Sequence, residues 1–403
     1  MIDATTCERD SAAAGAGEGA VSRLMLTRFR SYGQAVLDFG TAPPRIVVLH
    51  GPNGAGKTNL LEALSVLAPG RGLRRATLAE MTNREAAEGW AVAARLAGPN
   101  GGHDIGTGLE PAANDNDDAP NRARRIVRID GEAASGPAAL GELLSVIWLT
   151  PQMDRLFLDG PQSRRRFLDR LVAGLHGHHA RALAAYERAM RERNRLLESQ
   201  GPAADPAWLG ALERRMAEHG VTVAAARLEA VSELSHHSAE EPGAFPRFSL
   251  EASGSLEAAL AEGSALAVED DFATRLADAR AQDREAGRAR LGPHVSDLAV
   301  TFADKDMPAA QCSTGEQKAI LAGIVLASAR LAHAHHGRPV VLLMDEVAAH
   351  LDDRRRAALF AAIAELKAQT WLTGTDHAAF EALAGQARFL AVADSRITAE
   401  RDA

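Results

Sequence analysis

Runs of unbroken apolar residues, each stopping abruptly at polar or glycine-rich sequence, mark both ends of the chain: "IVVL" (46–49), "VIWL" (146–149) and "VVLLM" (340–344), with "TWL" (370–372) beyond them. Runs of this length without alternation suit strands buried on both faces of a parallel sheet. Residues 21–39 instead alternate with period two, as half-exposed strands do, and a turn at Pro43-Pro44 precedes the first apolar run. That run feeds "GPNGAGKT" (51–58) and then "NLLEALSVL" (59–67), a helical stretch stopped at Pro69-Gly70. The segment 98–121 is poor in apolar residues and reads as a loop or flexible hairpin insert, followed by a strand entering the Asp130-Gly131 turn.

From Ser163, which is placed to cap a helix, the period changes: Phe167, Leu168, Leu171, Val172 and Leu175 recur at helical spacing. Helical sequence rich in Ala, Arg and Glu runs to about 240 with one break at "GPAADP", and a strand and further helix extend to about 288. The α/β pattern resumes at "LGPHVSDLAVTF" (291–302), and a helix is predicted over about 354–369. The expected organisation is a disordered tail at 1–20, an α/β head built from 21–152 and 291–403, and an inserted, mainly helical arm at 153–290.

Composition narrows the class. Hydrophobic content of 46% with 24% charged residues is ordinary for a soluble globular chain, and no apolar run approaches the ~20 residues of a membrane helix. Two cysteines, Cys7 and Cys312, make no disulfide framework and fit a reduced cytoplasm; the first twenty residues lack the features of a signal peptide. The net charge of −8 argues weakly against a nucleic-acid partner, but local density matters more. Arginines cluster at 71, 74 and 75; at 122, 124, 125 and 128; at 164–166; and over 188–195. Lysine is scarce: of 45 basic residues only Lys57, Lys305, Lys318 and Lys367 are lysines, so a lysine marks a place where a compact point charge is wanted and a planar fork is not.

Two of the runs carry chemistry. "GPNGAGKT" fits the phosphate-loop pattern: Gly51, Pro52, Asn53, Gly54, Ala55 and Gly56 let backbone N–H groups converge on a phosphate, Lys57 reaches the β- and γ-phosphates, Thr58 offers its hydroxyl to Mg²⁺, and Asn59 opens the helix. "VVLLMDE" ends a buried strand in two carboxylates, with Asp345 assigned to the Mg²⁺ shell and Glu346 to the attacking water. Together they read as an ATP-hydrolysing site in which Lys57 and Glu346 are the catalytic candidates. The histidine tracts at 176–179 and 333–336 have no partner at a metal-ligand spacing and read as solvated helix ends.

A second anion-binding turn, "CSTGEQKAI" (312–320), precedes an apolar helical run. It resembles the signature motif of the ABC superfamily, in the form found in SMC and RecF proteins. The resemblance implies that Ser313, Gly315, Glu316 and Gln317 meet the nucleotide of a second copy, so that ATP joins a homodimer. It also implies a D-loop at "AHLDD" (349–353) with Asp352 at the dimer interface, and a Q-loop in which Gln152 senses Mg²⁺ or water. The switch position reads Asp376-His377 and departs from the transporter pattern, so His377 is given no catalytic role. "FRSY", "FLDGPQSRRRFLDR", "YERAMRERNRLL" and "GPHVSDL" are similar to markers of the RecF family in its order and spacing, over essentially 21–400. Membership would imply an ABC-type ATPase head with a short arm that dimerises with ATP on gapped duplex DNA and acts with RecR and RecO in loading RecA. Phe29 to Tyr32 either touch the base of the nucleotide or merely end a strand, with Arg30 the expected contact, and Arg71, Arg74, Arg75, Arg191 and Arg195 are the candidates for sequence-independent contact with DNA phosphates. Arg164–Arg166 read as a bridge between arm and head. The competing readings are an SMC-like DNA-structuring ATPase, disfavoured by the short arm, and a transporter ATPase subunit, disfavoured by the signature and the switch position.

Overall fold

The strand Ile46–His50 lies inside a six-stranded sheet in the computed structural model, which describes residues 21–86, 89–98, 102–110, 124–240, 245–347 and 351–399. The sheet runs in the order Arg396–Ala399, Arg388–Ala393, Ile46–His50, Gln369–Gly374, Val340–Met344, Ser145–Leu149, all parallel except the first, which pairs antiparallel at one edge. Every residue of the strands Ile46–His50, Val340–Met344 and Ser145–Leu149 is buried, as their unbroken apolar runs require. The carboxyl ends of these strands share one edge, where ligands of open parallel sheets bind.

The chain folds as two compact units, one drawn from its two ends (up to Met153 and from Val325) and one from Asp154–Ile324. The first unit holds the parallel sheet and a second, antiparallel sheet ordered Tyr32–Asp38, Val21–Phe29, Ala91–Leu96, His103–Glu110, Arg124–Ile129, Glu132–Ala133. Leu24, Leu26 and Phe29 of that sheet share one apolar core with Leu60, Leu61 and Leu64 of the helix Lys57–Ser65 and with Val47 and Leu49. The buried amide of Gln369 ties chain segments more than 300 residues apart. Its Oε1 accepts from the Val21 N–H and from Trp371 Nε1, each at 3.1 Å, and its Nε2 donates to the Val21 and Pro44 carbonyls. Every polar atom of the side chain is thereby satisfied, the condition for burying an amide without a net penalty.

The second unit packs the helices His179–Gln200, Pro206–Glu240 and Ala265–Asp278 around Tyr186, Met216, Phe272 and Leu276, with the helix Pro161–Leu175 against the first two. A three-stranded antiparallel sheet, Met307–Pro308, Asp297–Phe302 and Phe248–Ser253, belongs to the same unit. Here the structure departs from expectation: "LGPHVSDLAVTF" does not return the chain to the head at 291, because its strand pairs with Phe248–Ser253, and the division falls at Ile324 instead.

Other expectations are corrected for equally local reasons. Of the loop or hairpin expected over 98–121, residues His103–Glu110 form a strand paired antiparallel on both sides, so ladder pairing overrides their low apolar content and the loop alternative fails there. The helix expected to be capped by Ser163 begins at Pro161, at the first helical position that proline favours, with Gly160 as its cap. The expected tail 1–20, Arg122, and Ala349 and His350 of the D-loop lie outside the described residues. Among the described residues no helix is long and apolar enough to cross a membrane.

Candidate nucleotide site

The loop 51–56 leaves the strand Ile46–His50 at its carboxyl end and enters the helix Lys57–Ser65, which has no side-chain cap. Two glycines are required by the geometry. At Gly51 (φ 145°) a Cβ would stand 2.1 Å from the Val392 carbonyl oxygen, and at Gly56 (φ 111°) it would stand 2.7 Å from the Tyr32 hydroxyl. Tyr32 is itself buried and donates to the Gly56 carbonyl at 3.2 Å, so the strand after "FRSY" buttresses the loop rather than presenting a ring to a base. Phe29 is likewise fully buried, edge-on to Trp90. Ala55 is buried and its carbonyl accepts from the Ser395 N–H at 3.0 Å, while Pro52, Asn53 and Gly54 are exposed.

Lys57 is 4% exposed and its Nζ donates to the carbonyls of Gly51 (2.6 Å) and Pro52 (2.9 Å), which holds the ammonium across the mouth of the loop. Burial pulls this ammonium below its ordinary pKa, and the carboxylates of Glu346 and Asp345 oppose that pull. Thr58 Oγ1 donates to Asp345 Oδ1 at 3.0 Å, joining two motifs separated by 287 positions. Thr373, unmarked in the sequence reading, completes the arrangement. Its buried hydroxyl donates to the same Asp345 oxygen at 2.8 Å and accepts from the Glu346 N–H at 2.9 Å. Glu346 adopts a left-handed backbone (φ 53°), a conformation costing roughly 1–3 kcal/mol in a residue with a side chain and typical of functional positions. The only sequence signal for Thr373 was its place at the end of an apolar strand. Gln152 is exposed in a short turn after the strand Ser145–Leu149, on the same sheet edge as Asp345, whose N–H donates to the Leu149 carbonyl at 2.9 Å.

Several candidates are engaged by the protein itself. Arg30 forks onto Glu62 of the P-loop helix (Nε 2.8 Å, Nη2 2.6 Å) and donates to the Glu80 carbonyl. Arg74 donates to Asn59 at 2.8 Å and lies 3.4 Å from the same Glu62, a fully buried carboxylate. The Asn59 amide donates in turn to Ser31 Oγ at 2.8 Å. Arg71 and Arg75 are exposed, Arg75 with a left-handed backbone. Arg125 is withdrawn from the surface: it donates to the Val66, Ala68 and Gly70 carbonyls at the end of the P-loop helix, and burial brings its pKa down to about 10.

In the arm unit, Arg188, Arg191 and Arg195 are exposed, with Arg191 paired to Glu187 at 3.4 Å. Arg193, from the same basic run, is completely buried between Glu213 (3.0 Å), Asp283 (2.7 Å) and the Leu276 carbonyl. Arg164 forks onto Asp297 and Arg165 donates to the Ser296 carbonyl, so these arginines join "FLDGPQSRRR" to "GPHVSDL" inside the arm unit.

The signature turn opens the helix Thr314–His336. The Ser313 N–H and hydroxyl both donate to Glu316 Oε2, at 2.9 and 2.8 Å, and the Glu316 N–H faces Ser313 Oγ at 3.4 Å, a reciprocal capping box. Gln317 is buried and donates to the Cys312 carbonyl at 2.9 Å, so it holds the turn from within. Gly315 lies in the first turn of the helix. Asp352 caps the helix Asp353–Glu365 by accepting from the Arg355 N–H at 2.8 Å.

A glycine loop at the end of a parallel strand and a paired Asp–Glu at the end of a neighbouring strand define an ABC-type P-loop ATPase fold. The chain matches the family model "RecF/RecN/SMC N terminal domain" over residues 20–397. It is 47% identical over 385 residues to the "DNA replication and repair protein RecF" of Mesorhizobium japonicum, covering 95% of this chain and 98% of that one. It is 45% identical over 381 residues to the RecF of Brucella suis, covering 94% and 96%. The chain belongs to the RecF family of DNA replication and repair proteins. Its fold matches a solved "recombination mediator protein RecF-ATP in RecFOR pathway" with a TM-score of 0.79 at 17% identity, over 97% of this chain and 100% of that one.

Proposed function

We propose that the chain is an ATP-gated DNA clamp. The P-loop binds ATP through its amides and Lys57, two copies associate with the signature turn of each on the nucleotide of the other, and slow hydrolysis releases them. The observation that carries this reading is the Thr58–Asp345 hydrogen bond, which brings the phosphate loop and the paired carboxylates into one site. The oxygen donors of Thr58 and Asp345, with Gln152 on the same edge, suit a hard divalent cation; Mg²⁺ bound there would screen phosphate charge during transfer to water. Glu346, held from behind by Thr373, takes the proton of the attacking water. Ser313, Gly315 and Asp352 face the neighbouring copy, while Gln317 orders the turn from inside. The exposed arginines, Arg71 and Arg75 in the head and Arg191 and Arg195 in the arm, contact duplex phosphates without reading sequence.

Kinship with RecF supports the finer assignment: a cytoplasmic recombination mediator on duplex and gapped DNA that works with RecR and RecO in loading RecA. The deciding measurement is particle mass by light scattering for Glu346→Gln with ADP, with ATP, and with ATP plus a gapped duplex. A monomer in ADP that doubles in ATP is expected, and a monomer throughout removes the clamp.

A further inference from the structure

The four lysines have different fates, Lys367 being exposed beyond the helix Asp353–Glu365. Lys57 closes the phosphate loop, and Lys318 pairs with Asp154 at 2.8 Å. Lys305 belongs to the turn joining the strand Asp297–Phe302 to Met307–Pro308, where Asp306 takes a left-handed backbone. The preceding residue of that turn, Asp304, is anchored by Arg247 Nε at 2.6 Å. Lys305 Nζ stands 2.5 Å from Glu316 Oε1 and 5.5 Å from the centre of the Phe302 ring. Glu316 therefore spends one oxygen on Lys305 and the other on the N–H and hydroxyl of Ser313.

This arrangement answers an electrostatic difficulty. The start of a 23-residue helix is attractive to a phosphate because its first amides have no partners within the helix. Yet the capping box places a carboxylate among those amides, where it would repel the same phosphate. We propose that Lys305 is a positioning residue of the signature turn: by cancelling the charge of Glu316 it lets the capping box order Ser313 without repelling the terminal phosphate of a second copy's nucleotide. The inference rests on the reading of Ser313 given under Proposed function.

Two further features fit. The hydrogen bonds from Lys305 and Ser313 hold the Glu316 carboxyl down to about 2, and Glu316 raises the Lys305 ammonium, so both stay charged through the neutral range. An ammonium has three donors, of which Glu316 takes one, and the Lys305 side chain is half-exposed. An arginine would fork onto both carboxylate oxygens and compete with Ser313 for Oε2, which accounts for a lysine in a chain that otherwise favours arginine.

The test uses the full chain in a Glu346→Gln background with Mg-ATP, following dimer dissociation by sedimentation and nucleotide affinity by titration with a fluorescent ATP analogue. Lys305→Ala should weaken the dimer by about tenfold, as an uncompensated like charge does at an interface, with nucleotide affinity of the monomer unchanged. Glutamine serves a capping box as well as glutamate, so Lys305→Ala/Glu316→Gln should recover the parental dimer to within about twofold. Lys305→Ala that dimerises like its parent overturns the proposal. So does a double variant as weak as Lys305→Ala, which would show that the lysine shapes the turn rather than balancing charge. A parent that stays monomeric in ATP refutes the dimer reading and this proposal with it, whereas a parent that doubles beside an unaffected Lys305→Ala refutes the role of Lys305 alone.

Discussion

The protein begins two helices at places suited to phosphate, and it prepares them in opposite ways. The helix Lys57–Ser65 has no side-chain cap: left-handed glycine backbone leads into it at Gly56, Lys57 lies across the loop carbonyls, and Asp345 accepts from Thr58. The helix Thr314–His336 is closed by its own Ser313–Glu316 box, and its charge is balanced from outside by Lys305. A site that surrounds a phosphate needs open amides and a flexible cation. A site that meets a phosphate carried by another molecule needs an ordered face before the encounter, because ordering it afterwards would cost binding energy. The capping box supplies that order.

The contrast can be broken at either end. The largest effect is expected from Lys57→Met, which removes the ammonium proposed to meet the phosphate and should weaken ATP binding by about a hundredfold, ~3 kcal/mol, in a titration with fluorescent nucleotide. ATP affinity within a few-fold of the parent would refute the loop assignment. Ser313→Arg comes next: bulk and reach at the signature turn should abolish ATP-driven doubling in light scattering while nucleotide affinity of the monomer holds, and a loss of both would show that the two sites are not separable. Gly56→Ala probes the scaffold of the phosphate loop. The left-handed backbone and the Tyr32 hydroxyl 2.7 Å from the new methyl should lower stability by about 2 kcal/mol in urea unfolding, and an unchanged midpoint would argue against the buttress. The smallest effect concerns pH. The Glu316 carboxyl is depressed in the fold, to about 2, so its stabilising contribution is complete above the ordinary carboxylate range and is lost as pH falls through that range toward 2. Glu316→Gln should flatten this acid limb in pH-dependent unfolding, and a limb as steep as the parent's would place its origin elsewhere.

The buried polar groups extend the comparison. Arg193 and Arg125 both stand in basic runs of the sequence, yet one is buried with Glu213 and Asp283 and the other holds three carbonyls at the end of the P-loop helix. Removing either would leave buried partners uncompensated, which is costly even where the pair itself contributes little net stability. Basic clusters in this chain therefore divide, residue by residue, into structural clamps and exposed cations.

What the sequence alone determined was whatever depends on near neighbours. Five apolar residues ending in Asp345-Glu346 specify a doubly buried strand and the edge at which it stops, and "GPNGAGKT" specifies where backbone turns left-handed. "CSTGEQKAI" likewise marks a helix start, which the structure closes with a capping box between Ser313 and Glu316. Only the tertiary structure decided which carboxylate Arg30 and Arg74 share, that Thr373 supports both Asp345 and Glu346, that the strand Asp297–Phe302 pairs within the arm unit, and that Lys305 faces Glu316. These depend on groups brought together from distant positions. A charged or hydroxyl side chain carries no periodic signal to announce its partner: it is stable in the interior only once that partner arrives, and folding alone supplies the encounter.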